Sequence, residues 1–527
     1  MSFDRTLSVV ARRGIARRRA LATALLVSLA GGCDAALNQS PRAVSLPALE
    51  NDAAETSSDG GQWPGWRGPR SAGVSTDKGL PVTFGPQQGV RWKVEVPGEG
   101  NSSPVVWGDR IYLTAAIGAQ PARLVVAAFD RQTGEYLWGS DAANAEGTTH
   151  DKNGHASASV ATNGQLIFAC FGPSGLFALD ETGRRVWQQS LGSLEHGWGT
   201  ASSPVLFEDL VIQLADCQQE SSLRAFRQQT GEPVWSTPRD STGCWTTPVL
   251  VECPPDPAAG RAARTELIVN GTGTPDGSPG YVISYDPRTG EELWRVRGTT
   301  DIVCPTALFA GGLIYSMSGR NGPIMAIQPG GAGDVTGSHI VWQTKRGGPY
   351  VPTGIAYRNR LYVITDGGVL ACHNAGDGTR IWQQRLRGAF SASLVAGDGH
   401  IYAINERGAM FVVAAADEYK LLANNELDER ALATPAISHG ELLLRTERHL
   451  WCISPTAATQ VSASPAISPT TIAAGEQVAA EAVVEVEGRA SQGRFSGSIR
   501  AADLPLIDLP AEATSLQSAG AVPPVAE

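Results

Sequence analysis

The side chains best suited to chemistry in this chain are few. THDKNGHAS (149–157) places His150, Asp151, Lys152, Asn153 and His155 close together. Two imidazoles beside a carboxylate could bind a metal or act as acid and base. The same residues could equally be a loop that hydrogen-bonds itself. Asp216, with Cys217 and Gln218, could join that surface. Trp198 and Trp245 could form an aromatic wall or simply pack loops. No catalytic residue and no metal-ligand set is assigned. DGSPG (276–280) lacks the Asp periodicity of a calcium loop, and no P-loop, GxSxG elbow or HExxH occurs.

Cysteine chemistry is equally restrained. After Cys33 come Cys170, Cys217, Cys244, Cys253, Cys304, Cys372 and Cys452, with no adjacent pair and no CxxC, which excludes zinc ribbons and c-type haem attachment. Cys170, Cys372 and Cys452 sit in apolar strand-like runs and read as small hydrophobes. Cys244 and Cys253 are the nearest pair for a disulfide, a pairing that spacing alone leaves open.

What positions these residues is legible from composition and repeats. Gly (60) and Pro (33) are abundant among 527 residues and charge is only 18%, which suits short strands joined by tight turns. The net charge is -10, and the first 32 residues hold six Arg and one Asp, so the remainder carries 36 basic against 51 acidic side chains. So acidic a body is repelled by nucleic acid and anionic lipid. The arginines precede an apolar run, ALATALLVSLA (20–30), of signal-peptide rather than membrane-spanning length. It ends in LAGGC, which makes Cys33 the expected lipidation site. The division expected is a leader 1–32, a flexible tether 33–61, a folded body 62–453 and a low-complexity, mostly disordered tail 454–527. VVEVEG (483–488) is the one strand-like patch in that tail.

The body repeats itself. Trp92, Trp138, Trp187, Trp235, Trp294, Trp342 and Trp382 recur at steps of 40 to 59 residues, with Leu422 in the next slot. A turn such as DRQTGEYLW (130–138) ends most units. Each unit opens on small residues, such as NSSPVV (101–106), HASASV (155–160), CWTTPVL (244–250) and FSASLV (390–395). Eight openings are present, but the eighth unit stops at HLWCIS before a fourth strand, while GVRWKVEV (89–96) is a fourth strand without a unit. The expected fold is all-β: an eight-bladed propeller of four-stranded blades, closed by the N-terminal strand completing the last blade. The tryptophans are expected to dock each blade on its neighbour. Leu422, the weak copy, would make blade 7 the loosest.

The A-x-D-x-x-T-G-x-x-x-W pattern over about 89–453 resembles the tryptophan-docking repeat of the pyrroloquinoline-quinone (PQQ) propeller superfamily. WPGWRGPRSAGVS (63–75) with the following LPVTF, and HGWGTASSPVL (196–206), resemble PQQ-like propellers of planctomycete-type bacteria. The superfamily contains quinoprotein dehydrogenases of alcohols and sugars and also non-catalytic members, such as the lipoprotein B subunit of the outer-membrane β-barrel assembly machinery. The dehydrogenases hold PQQ on a Trp floor beside a disulfide of adjacent cysteines, with Ca²⁺ on Glu, Asn and Asp. No adjacent cysteines and no calcium set match here. The expectation is therefore an exported, lipid-anchored, monomeric cell-envelope scaffold for protein or glycan partners, without a cofactor. PQQ with Ca²⁺ in a dehydrogenase is the alternative.

Overall fold

The computed structural model describes residues 60–455, except 256, 258, 259 and 274–277, and the strands 483–490 and 493–500. The leader, Cys33, the tether through 59 and the rest of the tail lie outside the described residues. The tail's unit contains an antiparallel hairpin, Val483–Ala490 with Gly493–Arg500, so VVEVEG is half of a pair rather than a lone strand.

Eight antiparallel sheets form the propeller. Blades 1 to 7 span 105–144, 161–189, 205–238, 249–299, 308–343, 355–385 and 395–426. Blade 8 takes three strands from 436–453 and its outermost from Val90–Glu95, which pairs with His449–Ile453 through Trp92↔Cys452 and Glu95↔His449. The N-terminal strand thus closes the ring, and the two middle strands of every blade pair on both sides. Short strands suffice because each alternates buried aliphatics between two neighbouring blades.

The repeated turn joins the third strand to the fourth. In blade 1, Asp130 Oδ1 accepts the backbone N–H groups of Gln132 and Thr133 and the Thr133 hydroxyl, at 2.9, 2.8 and 2.9 Å. The glycine that ends each turn takes φ between 72° and 85° in Gly134, Gly183, Gly231, Gly290 and Gly378. A second constraint acts on the same glycines: a Cβ there would stand 2.4 to 2.7 Å from the tryptophan ring of the preceding blade. The indole N–H then bonds a carbonyl of that turn, as in Trp92 to Arg131 (3.1 Å), Trp187 to Gln228 (2.7 Å) and Trp342 to Ala375 (2.9 Å). Trp138, Trp235 and Trp382 do likewise with Glu181, Pro287 and Ala416. Trp294 is the exception. In blade 5 Thr336 and Gly337 lie in a short helix, Thr336–His339, rather than in the tight turn, and the indole bonds the buried Glu266 carboxylate at 2.7 Å instead.

Just before the tryptophan, each outer strand carries a register shift, for example between the pairs Phe129↔Tyr136 and Ala128↔Trp138. In blade 7 the pairs are Val413↔Leu421 and Val412↔Ala423. Leu422 is therefore the bulge residue and Ala423 occupies the tryptophan slot, a correction of one position. Sequence spacing misaligns here because a bulge adds a residue without a hydrophobic signature. The aromatic at this joint comes from elsewhere: Phe84, in the core cluster that Leu422 and Ala423 pack against, stands over Gly89. Its N–H bonds Asn425 at 2.9 Å.

Candidate functional site

In each blade the connection from the third to the fourth strand lies on one face, and the loops from one blade's outer strand to the next blade's inner strand lie on the other. The recurrent motif and the loops at the channel mouth are thus at opposite ends. A cavity of about 380 Å³ opens among those loops and runs down the axis.

Its throat is a belt of hydroxyls. At the start of seven of the eight inner strands a backbone N–H donates to a Ser or Thr hydroxyl of the next blade. The chain runs Ser103 to Ser159, Ser203, Thr247, Thr306, Thr353, Ser393 and Thr434, with seven bonds of 2.8 to 3.1 Å. Small residues open every unit because eight strands converge here and only a short side chain fits and still reaches its neighbour. Ser103, Ser203, Thr247, Thr353, Ser393 and Thr434 line the cavity.

The floor is the segment WPGWRGPRS (63–71). It crosses from Trp63, paired with Val106 of blade 1, to Gly73, whose carbonyl accepts Ala396 N–H of blade 7 at 2.9 Å. Val74–Ser75 then runs parallel to the inner strand of that blade. Trp66 lines the cavity from below, and Arg67 is fully buried beside it, its guanidinium 5.7 Å from the indole centroid. The channel is thereby a cup closed at its lower end.

The wall is aromatic. Trp198 and Trp245 stand 5.7 Å apart at 36°, and the His196 ring meets Trp245 edge-on at 4.7 Å. Trp245 is fixed by its N–H to the Gly199 carbonyl at 2.8 Å, while Trp198 remains 37% exposed and so offers a free face. His150 and His196 each accept a backbone N–H two residues on, from Lys152 (3.1 Å) and Trp198 (3.0 Å). Burial lowers the His196 pKa, favouring its neutral form.

At the rim, Lys152 reaches Glu406 of blade 7 at 2.6 Å, and Ser391 donates to the same oxygen at 2.7 Å. Burial opposes ionisation of Glu406, but the bonds from Lys152 and Ser391 and the lysine charge outweigh it and hold the carboxyl below its usual range. Asp366 accepts the N–H groups of Tyr350 and Val351 at 2.7 and 3.1 Å, and burial raises its pKa against those bonds.

Of the residues nominated from sequence, His150, Lys152, Asn153, Trp198 and Trp245 line the cup. Asp151 and His155 line a second cavity of about 330 Å³, which His150 also borders. Asp216 belongs to neither, because it is buried and bound by Arg239 through both oxygens, at 2.9 and 3.2 Å. Cys244 and Cys253 are both free, and burial raises the pKa of the Cys304 thiol on the cup wall. Sequence reasoning did not nominate Trp66, Arg67, Tyr350, Asp366, Glu406 or the hydroxyl belt. The belt had a signal, a Ser or Thr at one register in all eight openings. The carboxylates had none, since each is an isolated acid in a turn.

The aromatic walls suit a flat ring system, and the two carboxylates that line or rim the cup are already engaged. Among the described residues no three His, Cys, Asp or Glu side chains gather to hold a metal ion. Asp366 and Glu406 already hold backbone N–H groups and a lysine respectively.

A family model described as outer membrane protein assembly factor BamB matches residues 55–251 and 278–503. Methanol dehydrogenase [cytochrome c] subunit 1 of Methylorubrum extorquens is 24% identical over 158 residues, 28% of this chain and 24% of that protein. Polyvinylalcohol dehydrogenase of a Pseudomonas species is 28% identical over 192 residues, 33% of this chain and 29% of that protein. The chain thus spans less than a third of the length of these relatives. The crystal structure of BamB from Moraxella catarrhalis superposes with a TM-score of 0.49 at 13% identity, covering 69% of this chain and 99% of that one.

Proposed function

The chain belongs to the family described as outer membrane protein assembly factor BamB, and from that membership we propose that it is a non-catalytic propeller of the cell envelope, a monomeric scaffold that binds protein or glycan partners on its loop-bearing face. The observation that carries this reading is the blind cup: one exposed tryptophan face, a second tryptophan fixed behind it, and a throat of hydroxyls. Aromatic faces with nearby hydroxyls suit the apolar face and polar edge of a sugar, and equally a polar side chain beside an aromatic anchor. The leader and a lipid on Cys33 would deliver and hold the body at a membrane. Mass spectrometry of the mature N-terminus should then find acyl glycerol on Cys33, and an unmodified N-terminus elsewhere would refute the anchor.

The aromatic pair also favours a second reading, a PQQ-dependent dehydrogenase of the kind its partial relatives are named for. One experiment separates the two. Purified protein is titrated with PQQ and Ca²⁺, followed by absorbance and dye reduction, and in parallel with envelope oligosaccharides by calorimetry. Oligosaccharide binding that is lost in Trp198→Ala supports the scaffold. Stoichiometric PQQ binding with turnover of any alcohol or sugar replaces it with the enzyme.

A further inference from the structure

The hydroxyl belt uses only half of what each hydroxyl offers. Every one of Ser159, Ser203, Thr247, Thr306, Thr353, Ser393 and Thr434 accepts a backbone N–H, which occupies a lone pair and leaves the O–H proton to be placed. None of these hydroxyls donates to a protein acceptor among the described residues. Five of them, with Ser103, face the axial cavity. Hydroxyls without an acceptor on the protein therefore border the axial cavity from five blades.

Directly beneath is a positive charge without a counter-charge. Arg67 is fully buried, and its guanidinium donates to four carbonyls: Leu394 (2.7 Å), Gly354 (2.9 Å), Ala72 (3.1 Å) and Ser71 (3.4 Å). No carboxylate is among its partners. Gly354 and Leu394 immediately follow Thr353 and Ser393, so the cation lies one residue below the belt on two blades. Gly73 holds the backbone close, since a Cβ there would be 2.5 Å from Nη2. Burial lowers the Arg67 pKa to about 9, which still leaves the group protonated at neutral pH. Carbonyl dipoles solvate such a charge but do not neutralise it, and an unpaired buried charge is costly.

We propose that the throat of the propeller is an anion site, in which a small monovalent anion, or the carboxylate of a ligand standing in the cup, sits on the axis between the hydroxyl belt and the guanidinium of Arg67. The donors converge from several blades, the cation lies on one side, and Trp66 forms the adjacent wall. Halide and carboxylate share the chemistry required, a compact acceptor of one negative charge. The site does not depend on whether the rim binds a glycan or a protein, because its donors and its charge lie below Trp198 and Trp245.

Trp66 reports on the site. Iodide should quench the fluorescence of the full chain with a saturable component, and caesium should not. In Trp66→Phe, which keeps Arg67 and the belt, the saturable component should be lost. Crystals soaked in bromide should show an anomalous peak on the axis above Arg67. Acetate that displaces iodide in competition identifies the carboxylate of a larger ligand as the occupant, whereas iodide displaced by chloride alone identifies an inorganic ion. The proposal is overturned if iodide quenching is linear and unchanged in Trp66→Phe, or if bromide leaves the axis empty. Loss of glycan binding in Trp198→Ala with intact iodide saturation would separate the rim from the throat.

Discussion

The glycine of each turn meets two demands at once, and substitution can separate them. Gly79 has φ 68° and open space within 4 Å of where a Cβ would stand, whereas Gly231 has φ 72° and would place a Cβ 2.7 Å from Trp187. Alanine at Gly79 incurs only the left-handed strain, about 1–2 kcal/mol. Alanine at Gly231 should incur that plus overpacking, about 1–3 kcal/mol more. Chemical denaturation of both variants measures the difference, and equal losses would mean that the tryptophan does not press on the turn. Glu406 makes a second prediction. Its folded carboxyl is held below its unfolded value, so its tie to Lys152 stabilises above the ordinary carboxylate range and is lost as pH falls through the folded pKa. Trp198 emission, which reports the 149–155 loop through the Asn153 bond at 2.6 Å, should change in that acidic window and not in Glu406→Gln. A transition of equal size in both proteins would assign the change to another group.

Among the elements, the outer strands carry the joints between blades, and five of the eight joints are a tryptophan, a bulge and a glycine turn. The periodic tryptophans were legible because their type and spacing recur. The bulge was not, which is why spacing alone puts Leu422 in a slot that Ala423 holds. Phe84 was invisible as a joint residue, since it precedes the first repeat and its neighbours in space are Gly89 and Asn425. Phe84→Ala should lower stability by about 3–5 kcal/mol, the loss typical of a buried core aromatic rather than of a linker. A change within about 0.5 kcal/mol, the range of surface substitutions, would refute that role.

The whole molecule depends on 60–95 more than on any blade. This segment closes the floor with Trp63 to Ser71, ties blade 7 through Val74–Ser75 and Phe84, and supplies the last strand of blade 8. Deleting 63–96 should abolish the single cooperative melt. A truncated protein that melts as the intact one does would disprove the closure. The sequence by itself determined the blade count, the turn chemistry and the closing strand, because each is written in local residue types that recur at a period or in one missing copy. Only the tertiary structure decided that Trp66 is a floor, that Arg67 is a buried charge below a hydroxyl belt, and that Asp216 is taken by Arg239. Two of the four partners of Arg67 lie 287 and 327 residues away, brought to it by ring closure, and no local pattern encodes a contact that depends on every intervening blade.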